Sequence, residues 1–122
     1  MQQIGFVGLG AMGSVMAPLP ARAGFNVLGF DSAAQQSDVP DVAAATSLAD
    51  MVACDAIITM LPDGAVVTAV AAALAKAGFR GLLIDMSSSH PDDTLKLGKT
   101  LAAHGISLID APVSGGVKKA AA

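Results

Sequence analysis

The sequence predicts an α/β protein organised around a doubly wound, mostly parallel sheet, and three observations predict it. An apolar run of strand length, Ile4 to Val7, leads straight into the glycine-rich turn Gly8-Leu9-Gly10-Ala11-Met12-Gly13, with a helix-like segment behind it. Three segments repeat one layout: a helical stretch ends at a glycine (Gly24, Gly78, Gly105), and a short apolar run then ends at an aspartate (Asp31, Asp85, Asp110). Those runs are continuously apolar where a strand with one wet face would alternate. Strands of that kind, spaced by helices, lie parallel in a sheet covered on both faces.

Composition agrees with this. A chain of 122 residues reads as one domain, residues 1–122, able to bury a real core. Of its 65 apolar residues 25 are alanine and four are aromatic, which suits helices packed closely on strands of Val, Leu and Ile. No apolar run reaches the roughly 18 residues a spanning helix needs, so no membrane is expected. Met1 leads directly into strand-like sequence with no basic region or cleavage site, and a cytoplasmic location is the expectation. The one cysteine, Cys54, excludes an internal disulfide framework and a cysteine metal cluster. A net charge of −3 argues against nucleic acid as a partner. Mean hydropathy is positive for so small a domain, so one face is expected to lie under another domain or a second copy in a homo-oligomer.

In chain order, the helix behind Gly13 carries Pro18-Leu19-Pro20. Interior prolines remove a hydrogen bond and clash one turn back, so a kinked or shortened helix with an intact first turn is expected. Phe25 to Phe30 is the second strand. The stretch from Ser32 to Asp41 is short and polar, which makes a full crossover helix doubtful, and Val42 to Ala45 makes a poor strand. A short helix is expected over Ser47 to Ala53 and a strand over Ala56 to Met60. Val66, Val67, Val70 and Leu74 recur at helical spacing between Gly64 and Lys76. Strands follow from Phe79 to Ile84 and from Ile106 to Ile109. Between them Pro91 suits a first helical position, with Asp92 and Asp93 in that turn and Lys96, Lys99 and His104 toward the other end, which complements the dipole. The three repeated glycines sit where helices end in the left-handed conformation.

A doubly wound sheet binds its ligand beyond the carboxyl ends of the strands, where strand order reverses. Residues 8–13, 31–32, 61–64, 86–90 and 111–116 all leave such ends. In Gly8-x-Gly10-x-x-Gly13, Gly8 allows the tight turn, Gly10 lets a pyrophosphate approach the backbone and Gly13 lets helix and strand pack closely. Taken alone, the motif could equally be a structural turn. Asp31 lies 18 residues past Gly13 at the end of the second strand. A carboxylate there accepts from an adenosine ribose and repels a 2′-phosphate, which favours NAD over NADP. The alternative is a cap or turn aspartate, and the upstream glycines favour the ribose. Asp85 and Asp110 lack such a partner motif and read as turn residues. Ser87, Ser88 and Ser89 can cap the helix near Pro91, or one can reach a nicotinamide ring. His90 reads first as a loop or capping residue, His104 and Cys54 as structural, Lys118-Lys119 as a solvated pair. No metal-ligand spacing, paired-carboxylate site or Ser/His/Asp set stands out.

Several of these motifs together resemble the β-hydroxyacid dehydrogenases, the family of 3-hydroxyisobutyrate dehydrogenase. They are Gly8 to Gly13 followed by Met16-Ala17 and Ala23-Gly24, Thr59-Met60-Leu61-Pro62, Asp85-Met86-Ser87-Ser88 with Pro91, and Asp110-Ala111-Pro112-Val113-Ser114-Gly115-Gly116. The last string is the most specific, and the resemblance covers nearly the whole chain. It implies a Rossmann fold in which Gly8, Leu9, Gly10, Ala11, Met12 and Gly13 hold the pyrophosphate of NAD and Asp31 the ribose. Leu61 and Pro62 would pack on the cofactor, and Ser88 would lie near the nicotinamide. Ser114, Gly115 and Gly116 would bind the carboxylate of a small 3-hydroxy acid, a role that a serine hydroxyl and consecutive glycine N–H groups can fill. Leu19 and Pro20 replace the Asn and Leu usual in the family, and the region after Asp31 is shorter than usual. The resemblance puts the catalytic lysine and a helical second domain beyond the carboxylate loop, hence beyond Ala122. The expectation is therefore an NAD-binding, N-terminal part of an oxidoreductase that binds cofactor without turnover. The alternatives are a dinucleotide-binding or sensing module without chemistry, and a methyltransferase, for which Ser114-Gly115-Gly116 would have no task.

Overall fold

The computed structural model describes residues 3–8, 16–30, 42–45, 47–61, 64–86 and 91–110. Six strands form a single sheet: β1 (Gln3–Val7), β2 (Asn26–Phe30), β3 (Ala43–Ala44), β4 (Ala56–Thr59), β5 (Leu82–Asp85) and β6 (Ser107–Asp110). Their order is β3-β2-β1-β4-β5-β6, and every neighbouring pair is parallel. Among the described residues the helices are α1 (Pro18–Arg22), α2 (Gly64–Ala77) and α3 (Pro91–Ala102), with a 3-10 helix at Leu48–Met51.

Both faces of the sheet are buried, because successive strand residues point to opposite sides. Val7, Ile57 and Leu83 face α2, α3 and the 3-10 turn, where Val67, Ala71, Leu74, Leu97, Leu101 and Met51 complete the main core. Phe6 and Val27 face the other way and meet Ala17, with Met16, Ala21, Val42, Ile58 and Met60 around them. Fully burying each large side chain contributes about 1.5–3 kcal/mol. Alanine at positions 17 and 71 lets the helical backbone approach the sheet closely. Leu19, Leu95 and Ile109 are the large apolar residues left exposed among those described. No described helix is long and apolar enough to cross a membrane.

The repeated glycine layout has one structural meaning. Gly24, Gly78 and Gly105 have φ of 103°, 106° and 77°. At each, the glycine N–H reaches the carbonyl three residues back, and the next residue's N–H reaches five back: Phe25 to Pro20 at 3.1 Å, Phe79 to Leu74 at 3.0 Å and Ile106 to Leu101 at 3.0 Å. These are Schellman caps, which an apolar residue just after the glycine frequently accompanies. That use of the apolar residue trims the expected strands. Phe79, with no exposed surface, serves the α2 cap and core, so β5 begins at Leu82 rather than Phe79. Phe25 and Ile106 leave β2 and β6 for the same reason.

Other expectations are corrected by the structure. The short helix expected over Ser47 to Ala53 is a 3-10 helix confined to Leu48–Met51. The Ser47 N–H donates to the Asp50 carboxylate at 3.2 Å, and Val52 and Cys54 each bond three residues back, which ends the coil after one turn. Asp85 and Asp110 are the last residues of strands rather than turn residues. The described proline-bearing segment, α1, has five residues, and Ala17 before it keeps helical angles (φ −57°, ψ −37°) although it precedes Pro18. Its expected intact first turn, and the doubtful crossover from Ser32 to Asp41, lie outside the described residues.

Candidate functional site at the strand-order reversal

The order reverses between β1 and β4, so the helices connecting on either side leave a crevice at the carboxyl ends of these two strands. Main-chain bonds tie the strand ends into one ladder. The Gly8 N–H donates to the Phe30 carbonyl at 3.0 Å, the Met60 N–H to Val7 at 2.9 Å, and the Met86 N–H to Thr59 at 2.9 Å. The tips of β2, β1, β4 and β5 are thus held in register beside the reversal.

Gly8 opens the turn with φ 101°, and it is buried. A Cβ there would fall on the Met60 carbonyl oxygen, 2.8 Å from the Met60 carbonyl carbon and 3.2 Å from Leu61 Cδ2. Only glycine lets the end of β1 pass that close to β4. Leu61 is half-buried, leans on the main core and forms an apolar wall beside Gly8. Gly8 and Leu61 are therefore brought together at the crevice. Leu9, Gly10, Ala11, Met12, Gly13, Asp31, Pro62, Ser88, Ser114, Gly115 and Gly116 lie outside the described residues. A glycine-only position at the reversal with an apolar wall beside it fits a dinucleotide.

Beneath the crevice lies a feature that sequence reasoning missed. Thr59 and Asp85 end β4 and β5 as register partners, and the Thr59 hydroxyl donates to Asp85 Oδ1 at 3.0 Å. They are the buried polar side chains of the described core, at 0% and 1% exposure. The signal was present in the shared motif position: a hydroxyl and a carboxylate each close an apolar run in adjacent strands.

At the opposite, amino edge of the sheet, Asp55 accepts the Gln3 N–H on its carboxylate at 2.9 Å and returns its own N–H to the Gln3 carbonyl at 2.9 Å. Cys54 beside it is buried. Burial first, and the Asp55 charge second, push its thiol above the ordinary value of 9.0, so it stays protonated and inert at neutral pH. A groove of about 540 Å³ between α2 and α3 includes Thr68, Lys76, Lys96 and His104 in its walls. Apart from Thr68, its lining residues, from Ala72 to Lys76 and from Lys96 to His104, lie toward the carboxyl ends of those helices. Among the described residues no cluster of His, Cys, Asp or Glu could hold a metal ion.

A six-stranded parallel sheet in this order, with the positive-φ Gly8 at its reversal, defines the class: a Rossmann-type dinucleotide-binding domain. The chain belongs to the family described as the NAD binding domain of 6-phosphogluconate dehydrogenase, whose model matches residues 3–122, and its cofactor is NAD. It is 39% identical over 132 residues to 2-(hydroxymethyl)glutarate dehydrogenase of Eubacterium barkeri, covering 98% of this chain and 42% of that protein. With the mitochondrial 3-hydroxyisobutyrate dehydrogenase of Drosophila melanogaster it shares 38% identity, over 95% of this chain and 38% of the relative. Among solved structures, Mycobacterium tuberculosis 3-hydroxyisobutyrate dehydrogenase with L-serine superposes with a TM-score of 0.92 at 39% identity, over 99% of this chain and 43% of that one. An imine reductase from Bacillus cereus, at 22% identity and TM-score 0.84, shares the fold. The chain thus spans about two-fifths of the length of these relatives, which are the dehydrogenases its motifs resemble.

Proposed function

We propose that residues 1–122 form the cofactor half of an NAD-dependent oxidoreductase acting on a small 3-hydroxy acid, in the manner of 3-hydroxyisobutyrate dehydrogenase. The observation that carries this reading is the close passage of Gly8 against Met60 at the strand-order reversal, in a chain whose relatives are hydroxyacid dehydrogenases. In this reading Gly8 to Gly13 present backbone N–H groups to the pyrophosphate and Asp31 accepts from the adenosine ribose. Leu61 and Pro62 exclude water from the cofactor, Ser88 lies by the nicotinamide, and Ser114, Gly115 and Gly116 orient the substrate carboxylate. When bound, NAD supplies the hydride acceptor for the substrate carbon. The hydroxyl proton is left to the lysine that the family resemblance puts beyond the carboxylate loop. Residues 1–122 alone therefore bind NAD and turn over no hydroxy acid. The exposed Leu95 and Ile109 support a covering domain or second copy on the β6 side.

Titration calorimetry with NAD, NADP and S-adenosylmethionine tests the reading, and NAD is expected to bind best. Asp31→Ala is expected to erase the preference for NAD over NADP. An unchanged preference would remove the carboxylate from the site, and tighter S-adenosylmethionine binding would replace the oxidoreductase with a methyltransferase. NADH production from a 3-hydroxy acid by residues 1–122 would refute the assignment of proton transfer to a later lysine.

A further inference from the structure

We infer that Asp85 is a positioning residue for the nicotinamide half of the cofactor, acting through Thr59; the inference rests on the proposed NAD site. A carboxylate buried among apolar side chains costs free energy, and two apolar residues of similar size would stabilise such a core at least as well. What the Thr59–Asp85 pair adds is direction, because a hydrogen bond weakens steeply away from its preferred angle. It joins the last residues of β4 and β5, 3.0 Å from Thr59 Oγ1 to Asp85 Oδ1, with both side chains closed off from water.

The pair stands at the start of two loops. Thr59 leads into Met60 and Leu61, whose carbonyl and side chain flank Gly8. Asp85 leads into Met86, whose N–H returns to the Thr59 carbonyl at 2.9 Å. Thr59 is therefore bonded twice to the end of β5, once through its main chain and once through its side chain. That double tie fixes the end of β5 relative to the end of β4 and to Gly8 beside it, and so the place of a nicotinamide relative to a pyrophosphate. The adenosine half depends on β1 and β2, on the other side of the reversal, and the pair does not reach it.

The test uses near-isosteric variants. Thr59→Val removes the donor, Asp85→Asn removes the charge, and Thr59→Ser keeps the hydroxyl. Calorimetry is run with NAD and with ADP-ribose, which lacks the nicotinamide. Thr59→Val and Asp85→Asn are expected to bind NAD about tenfold more weakly and ADP-ribose within about twofold of the parent. Thr59→Ser restores NAD binding. Equal weakening of both ligands, or NAD binding unchanged in Thr59→Val, would overturn the inference. Should Asp85→Asn fail to fold, the valine and serine variants at Thr59 still decide it. A parent protein that binds neither ligand would sink the NAD site itself, a result distinct from normal binding that the variants leave unaltered.

Discussion

Gly8 is decided by its backbone. Its φ of 101° and the Met60 carbonyl in the path of any Cβ leave no room for another residue. Gly8→Ala is expected to cost about 2–4 kcal/mol in urea unfolding and to abolish NAD binding. Cys54 gives a prediction in pH. Its thiol is raised in the folded state, so its contribution is fully present below the ordinary value of 9.0 and is lost as pH rises toward the folded value. Melting temperature should fall more between pH 8.5 and 10.5 in the parent than in Cys54→Ala; identical slopes would remove Cys54 as the cause. At this scale the sequence was legible where a residue type has one strong reason, as at Gly8. It was not legible at Asp85, because nothing local separates a strand-closing aspartate from one in a turn. The difference lies in the register partner Thr59, which is 26 residues away.

The helix ends show how the elements are punctuated. At Gly24 and Gly78 an added Cβ meets nothing within 4 Å, so alanine there pays only for the left-handed backbone, about 1–2 kcal/mol. At Gly81, which has no positive φ, the Cβ would stand 2.7 Å from the Asp55 carbonyl oxygen. Gly81→Ala should therefore destabilise more than Gly78→Ala in chemical denaturation, and the reverse order would contradict the packing described. The strands and the two long helices were readable because apolar runs, helical spacing and terminal glycines all agreed. The exact start of β5 was not, since Phe79 is equally apolar in a strand and in a cap; tertiary packing assigns it to the cap. The extent of the 3-10 helix at Leu48–Met51 was not legible for a related reason. Ser47 and Asp50 signal a helix start, but neither says how many turns follow.

For the molecule as a whole, sheet order determines where a ligand can sit. Alternation of helices and buried strands made the architecture legible, and the reversal between β1 and β4 places the crevice at the glycine turn. A ligand that binds only the folded state adds about 2.7 kcal/mol at a hundred times its dissociation constant. Saturating NAD should accordingly raise the melting temperature by several degrees, and the Gly8→Ala protein should show no such rise. The central position of β1 also bears on how the chain reaches this state. Gln3 bonds to Asp55 across 52 residues of sequence, and β1 is flanked by strands made after it on both sides. A ribosome delivering this polypeptide has released its first strand long before the second of those neighbours emerges. Until then the apolar segment from Ile4 to Val7 has one bare side, which is the interval in which a chaperone would be expected to hold it.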